Sequence, residues 1–325
     1  MAEFGDRVFD YVVVGGGAAG CVVASRLSER AANQVLLLEA GEDFPPGSEP
    51  QEIRDTFAGT AHGNPRFTWR GQTVAFGPRP SNAPDGRKRV RYAQGRVIGG
   101  GSSVNGMISI RGLPSDYDGW VERGAAGWGW DDVLPYFRKL ETDQQFDGPL
   151  HGKTGPLPIR RVTREKWSGF SKAAADSFAL AGMNSIDDQN GAFEDGFFPL
   201  CVSNLNDQRV SAATAYLDAA TRARPNLTIL SNALATQIRF EGRRAIGVDI
   251  NHKGEEEFYS GREIIISAGA SHSPALLMRS GIGPALHLRD MGIDIVADLA
   301  GVGQSLQDHP GITTLAYLPT ASRHG

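Results

Sequence analysis

Cysteine is scarce in this chain of 325 residues: Cys21 and Cys201 are the only two, far apart and in apolar surroundings. That excludes a disulfide-framed scaffold and any C-x-x-C redox or zinc motif, and reduced, buried thiols are expected. Long hydrophobic runs are lacking too. Residues 11–25 are uncharged but too short to cross a bilayer, and Asp6 and Asp10 stand where a signal peptide carries positive charge. A soluble, cytoplasmic protein with no membrane span is expected. Neither sign of charge dominates: the net charge is −4 and the pI near 6.0, which gives no sign of a nucleic-acid or membrane partner. The local cluster Arg87, Lys88, Arg89 and Arg91 reads as a solvated surface stretch. There is no G-x-S-x-G elbow and no Walker A pattern, which disfavours hydrolase and kinase chemistry. None of the seven histidines has metal-ligand spacing with another His, Cys or carboxylate cluster, so no metal is expected. His309, in QDHP, is read as a loop histidine fixing a turn rather than as an acid–base group.

What is present is ordinary globular composition, 40% hydrophobic and 22% charged, in a chain long enough for two lobes. Residues 8–14 form a β-branched apolar run, Gly15-Gly16-Gly17 breaks it, 18–30 has helical composition and 34–39 reads as a second buried strand. This is a βαβ unit of a parallel sheet. Residues 41–92 are Pro-, Gly- and Asp-rich without periodicity, as in a lid or cofactor-wrapping segment. Helices are predicted at 115–123, with Ser115 and Asp118 as a capping pair, then at 131–141 and 166–181. A further helix at 212–223 is capped by Ser211. From 227 the segments LTIL, ATQIRF, AIGVDI and EEEFYS predict an antiparallel meander; a buried strand at 262–267 and a helix at 273–280 follow.

Gly15-x-Gly17-x-x-Gly20 lies between the predicted strand and helix. In a dinucleotide fold the first glycine permits the turn, the second admits the pyrophosphate and the third lets helix pack on strand. The helix N-terminus offers free amides to the diphosphate. Glu39 ends the next strand, 24 residues after Gly15, at the spacing of an acid that binds an adenosine ribose. An acid there disfavours a 2′-phosphorylated nucleotide. The motif does not separate FAD from NAD. The second cluster, Gly99-Gly100-Gly101 before Ser102–Met107, is either a set of amides for a flavin or an ordinary glycine turn.

Residues 95–118 (GRVIGGGSSVNGMISIRGLPSDYD) resemble the first signature of the glucose–methanol–choline (GMC) oxidoreductases. Residues 269–284 (GASHSPALLMRSGIGP) resemble their second, and 301–310 (GVGQSLQDHP) match a third stretch. With VVVGGGAAG and LLLEAG, the resemblance covers essentially the whole chain. WDDVLPYFRKLE, GPLPI and SAATAYLDAATRARPNLTI are similar to the choline dehydrogenase, aryl-alcohol oxidase and 5-hydroxymethylfurfural oxidase branch. The resemblance implies an α/β, doubly wound, Rossmann-like FAD-binding domain with an antiparallel meander, plus an incomplete α+β substrate domain. The implied FAD domain takes 5–160 and 225–308, with a substrate-domain insertion at 161–224 and the start of a further part at 309–325. It implies FAD binding by Gly15, Gly17, Gly20, Glu39, Arg96, Gly99, Gly100, Asn105, Gly106 and Met107, and by the backbone of Ala235 at the adenine. Val104 stands where some members carry a flavin-linking histidine, so the FAD is expected to be noncovalent. Ser109 departs from the usual aromatic or alanine.

The expected reaction is oxidation of a primary alcohol to an aldehyde, with oxygen or a quinone-type acceptor. The family's catalytic histidine is expected beyond residue 325, so no catalytic residue is assigned here and this chain alone is expected to be inactive. A lyase-like or photochemical relative, or an inactive FAD-binding fragment, are the alternatives.

Overall fold

A computed structural model describes residues 7–75 and 89–308. They divide into two units: residues up to Asn105 with Ser211–Gln307, and Gly106–Val210. The divisions fall at 105/106 and 210/211. The reason is packing. Ala212, Ala213, Tyr216 and Leu217 bury against Cys21 and Ala24 of the first unit. In the second, Leu157–Arg161 pairs antiparallel with Cys201–Val202. Residues 309–325, and with them His309, lie outside the described residues, as do Arg87 and Lys88.

The first unit is built on a six-stranded sheet. Its strands are β1 (Val8–Val14), β2 (Val35–Leu38), β3 (Leu227–Leu230), β4 (Ala233–Glu241), β5 (Arg244–His252) and β6 (Glu255–Ile266), in the order β3-β2-β1-β6-β5-β4. The ladders from β3 through β2 and β1 to β6 are parallel. Those joining β6, β5 and β4 are antiparallel. The unbroken apolar runs follow from burial on both faces. Val12, Val14, Leu36 and Leu38 enter one core with Ile238, Val248, Ile250 and Leu276. Val13, Val35 and Leu37 enter the other, with Cys21, Ala24, Leu217 and Leu227. Burying each such aliphatic side chain contributes about 1.5–3 kcal/mol.

Helix α1 (Ala18–Leu27) crosses from β1 to β2, as the βαβ reading predicts. Other expectations are corrected. LTIL is β3, a parallel edge strand beside β2 rather than part of the meander. EEEFYS and the strand predicted at 262–267 are one strand, β6, whose first half pairs antiparallel with β5 and whose second half pairs parallel with β1. The helix predicted at 212–223 is two pieces. Ser211 caps α2 (Ala212–Tyr216), and after Leu217 the Asp218 carboxylate caps a new turn through the Thr221 amide, 2.8 Å. Helix α3 (Gly269–Arg279) begins four residues before the predicted start, and Gly281 at φ +85° follows it.

In the second unit the helices Pro114–Glu122 and Trp130–Leu140 form as predicted, but Ser115 with Asp118 is not the cap. Asp116 accepts the Leu113 amide at 2.8 Å, whereas Asp118 accepts the Trp130 amide at 3.0 Å. The helix predicted at 166–181 is Gly169–Leu180, with its Ser168 cap. No helix among the described residues is long and apolar enough to cross a membrane.

Candidate functional site

A cavity of about 480 Å³ opens in the first unit at the carboxyl ends of the parallel strands, lined there by Val14, Leu38 and Ser267. Ligands of open α/β sheets bind at that edge. The turn leaving β1 explains its three glycines individually. Gly15 has φ +99°, a conformation costly for other residues. A Cβ on Gly20 would lie 1.9 Å from the Gly15 carbonyl oxygen, so only glycine lets α1 approach the turn. A Cβ on Gly17 would find no heavy atom nearer than 3.8 Å. Gly17 lines the cavity, and its missing side chain leaves room for a ligand rather than for protein. Ala18 and Ala19, in the first turn of α1, also line it, and no acid there neutralises the helix terminus.

The second glycine cluster meets the first. The Gly99 amide donates to the Gly16 carbonyl at 2.7 Å, and a Cβ on Gly100 would lie 2.7 Å from the Gly17 Cα. Gly99 and Gly100 have φ +84° and +53°. Gly100 and Gly101 line the cavity, whereas Gly99 lies behind it. Two loops about 80 residues apart in sequence thus form one glycine wall.

Glu39 is buried at 6% exposure and lines the cavity from the end of β2. Its Oε2 accepts the Gly16 amide at 2.9 Å and its Oε1 the Gly41 amide at 2.8 Å. Burial pushes its carboxyl up to about 7, against the Gly41 and Gly16 amides and the charge of Arg96. Each oxygen keeps acceptor capacity for a hydroxyl pair.

The other predicted residues divide. Ala235 lines the cavity. Gly20 does not; it serves the turn. Arg96 is outside the lining, with Nε donating to the Ala40 carbonyl at 3.1 Å and its guanidinium 5.1 Å from the Trp69 ring. Asn105 is exposed, and its amide donates to the Gly101 carbonyl. Gly106 and Met107 belong to the second unit, where Met107 is buried at φ +60° and its carbonyl accepts the Ser203 amide at 2.9 Å. Val104 is buried among Ile53, Ala61, Phe67 and Val97.

The sequence reading did not assign Trp69, Gln94, His272 or Arg279 to the site, and all four line the cavity. Trp69 stacks on His272 with centroids 4.1 Å apart, and His272 Nε2 bonds the Gln72 amide at 2.8 Å. The Ser271 hydroxyl donates to Gln94 Oε1. Burial holds the His272 imidazole below its usual range. His272 lies inside the second signature; a lone tryptophan in an irregular segment carries no comparable signal.

His151 lies in a buried cluster with Glu141 and Asp143, their ligand atoms within 4.8 Å of one another, although no spacing in the sequence announces it. The carboxylates already have cationic partners. Arg111 bonds Glu141 at 2.6 Å, Arg161 bonds Asp143 at 2.8 Å and also Asp188, and His151 Nε2 meets Asp188 at 2.9 Å. The surrounding carboxylates of Asp143, Asp188 and Glu141 raise the imidazole to about 10. With His151 protonated, three cations balance three carboxylates, the arrangement of an ion-pair network.

Residues 9–311 match the GMC oxidoreductase family. The chain is 45% identical over 98% of its length to a 5-(hydroxymethyl)furfural oxidase of Methylovorus sp. (strain MP688), covering 60% of that protein. It is 40% identical over 93% of its length to an oxygen-dependent choline dehydrogenase of Staphylococcus xylosus, covering 52% of it. Among solved structures, pyridoxine 4-oxidase from Mesorbium loti aligns with a TM-score of 0.80 and 34% identity, covering 89% of this chain and 55% of that one. The chain therefore spans roughly half to three fifths of the length of these relatives. Glycine wall, buried acid and sequence relationship agree: this chain belongs to the GMC oxidoreductase family.

Proposed function

We propose that the chain binds FAD noncovalently in this cavity and belongs to a protein that oxidises primary alcohols to aldehydes. The observation that carries the reading is the Gly17 cradle beside Glu39. A space that a Cβ would enter lies at a helix N-terminus, next to a buried carboxylate with acceptor capacity. That donor set fits a diphosphate and an adenosine ribose. Gly15, Gly17 and Gly100 give the backbone close approach, Glu39 takes the ribose hydroxyls, and Ala235 meets the adenine. Gly20, Gly99 and Arg96 shape the wall from behind. Asn105, Gly106 and Met107 are assigned to the isoalloxazine on the family resemblance. Val104 offers no atom for a covalent link.

Bound there, the flavin supplies a hydride acceptor for the carbinol carbon, and oxygen or a quinone-type acceptor takes the electrons. The chain's own residues hold the nucleotide and shield it. His272 is engaged by Trp69 and Gln72, so it is assigned to the wall and not to proton transfer.

The test has two stages. FAD titrated into the purified, flavin-free protein should bind at one site and be released by acid precipitation; flavin left on the washed pellet would contradict a noncovalent site. Anaerobic bleaching by furfuryl, benzyl or choline alcohols, measured on the whole protein to which this chain belongs, then distinguishes a redox protein from a lyase-like relative, which would stay yellow.

A further inference from the structure

We propose that Arg96 is a positioning residue for this cavity: braced by Trp69 and the Ala40 carbonyl, it holds a positive charge beside the Glu39 turn that favours the carboxylate, and so shapes the pH range in which an adenine nucleotide binds. The inference rests on the dinucleotide reading above and extends it to a residue outside the cavity wall.

The geometry links Arg96 to the Glu39 turn twice. Its side chain bonds the carbonyl of Ala40, the residue after Glu39. Its backbone packs on Gly41, where a Cβ would lie 2.1 Å from the Arg96 carbonyl oxygen, and the Gly41 amide holds Glu39 Oε1. The neighbouring Ile98 amide donates to the Glu42 carbonyl at 2.9 Å, which locks the two segments in register. The guanidinium also rests against the Trp69 ring, worth about 0.5–1 kcal/mol at an exposed site, and Trp69 is itself stacked on His272. An exposed arginine is thereby held in one place.

The ionisable groups acting on Glu39 come from three directions. Asp43 lies on the same segment and is matched by Arg222 through two bonds of 2.7 and 2.8 Å. Cys21 comes from α1; its thiol, pushed up to about 12 by burial, stays neutral. Arg96 comes from the segment that packs on the turn, and it is the principal cation favouring the ionised carboxylate. A neutral Glu39 is a poor acceptor for two ribose hydroxyls, whereas the carboxylate makes charge-assisted bonds. Nucleotide affinity should therefore follow the ionisation of Glu39, which Arg96 assists from outside.

The experiment measures ADP and FAD affinity from about pH 5.5 to about pH 9, in wild type, Arg96→Gln, Arg96→Lys, Trp69→Ala and Trp69→Phe. Wild-type binding should tighten as pH rises to about 7 and then level off. In Arg96→Gln the midpoint of that rise should move up. Arg96→Lys should restore it, Trp69→Ala should move it part of the way, and Trp69→Phe should leave it in place. A purely structural role would weaken binding by the same factor at every pH; an unmoved midpoint in Arg96→Gln overturns the proposal alone. Failure of the wild type to bind ADP or FAD overturns the dinucleotide reading and the proposal with it. The pH profile of thermal unfolding without ligand gives an independent check. Subtracting the Glu39→Gln profile isolates the carboxyl, and its midpoint should move upward in the Arg96→Gln background.

Discussion

At the scale of single residues, Gly17 and Glu39 make opposite predictions about fold and ligand. Gly17 has φ −75° and ψ −167°, which valine adopts readily, and its Cβ direction is open. Gly17→Val should fold with an unchanged denaturation midpoint and fail to bind FAD; normal binding would displace the ligand from this turn. Glu39→Ala should weaken FAD binding by about 1–3 kcal/mol, the range for charged hydrogen bonds, as read by fluorescence titration near pH 8. The same carboxylate opposes folding. Its folded value of about 7 exceeds the ordinary 4.5, so ionisation costs stability as pH rises through that window, and the cost is complete above it. Glu39→Gln should therefore gain stability relative to wild type between about pH 4.5 and pH 7, by no more than about 3 kcal/mol. A difference that stays flat across that window would show that Glu39 titrates normally. The glycine motif and the spacing of Glu39 were readable because each imposes a local backbone requirement. Trp69 and Arg279 were not, because nothing local distinguishes them from surface residues.

At the scale of elements, the turn, α1 and the sheet stand or fall together. Gly20→Ala places a methyl 1.9 Å from the Gly15 carbonyl oxygen, and α1 must move to accept it. A loss of about 1–3 kcal/mol is expected by chemical denaturation, as for other overpacked sites. Gly101→Ala is the control: no heavy atom lies within 4 Å of its Cβ position, and the variant should match wild type in stability. The unbroken apolar runs of β1 and β2 announced parallel strands, because strands buried on both faces demand them. The same reading misplaced β3. A four-residue apolar segment carries no record of its partner, and its parallel pairing with β2 is set by packing on α1 and α2. The continuity of β6 was hidden by Gly261, which falls between the two strand segments read from the sequence. In the structure it is where the strand changes from an antiparallel to a parallel partner.

At the scale of the whole molecule, the second unit has its own electrostatic centre. Arg161, 1% exposed at its side chain, joins Asp143 and Asp188, and His151 joins both and Glu141. Removing one partner of such a buried network leaves an unmatched charge, so Arg161→Met should cost about 3–5 kcal/mol. His151 adds a pH signature. Its folded value of about 10 lies above the ordinary 6.5, so its contribution is complete below pH 6.5 and is lost as pH rises toward 10. The stability difference between wild type and His151→Gln should shrink between pH 6.5 and pH 10, measured by thermal unfolding. A constant difference would assign His151 a packing role only.

The sequence by itself determined the glycine turn, the acid that follows it, the α/β class and the family, because each of these is written in short segments whose backbone or burial needs are local. The tertiary structure alone decided which strand pairs with which and where the chain passes between units. It also brought Trp69, Gln94 and His272 to the cavity beside that turn, and gathered Glu141, Asp143, His151, Arg161 and Asp188 into one buried network. Most of those associations join residues tens to hundreds of positions apart, and even Glu141, Asp143 and His151, close in sequence, are drawn together only by the way the chain folds back on itself.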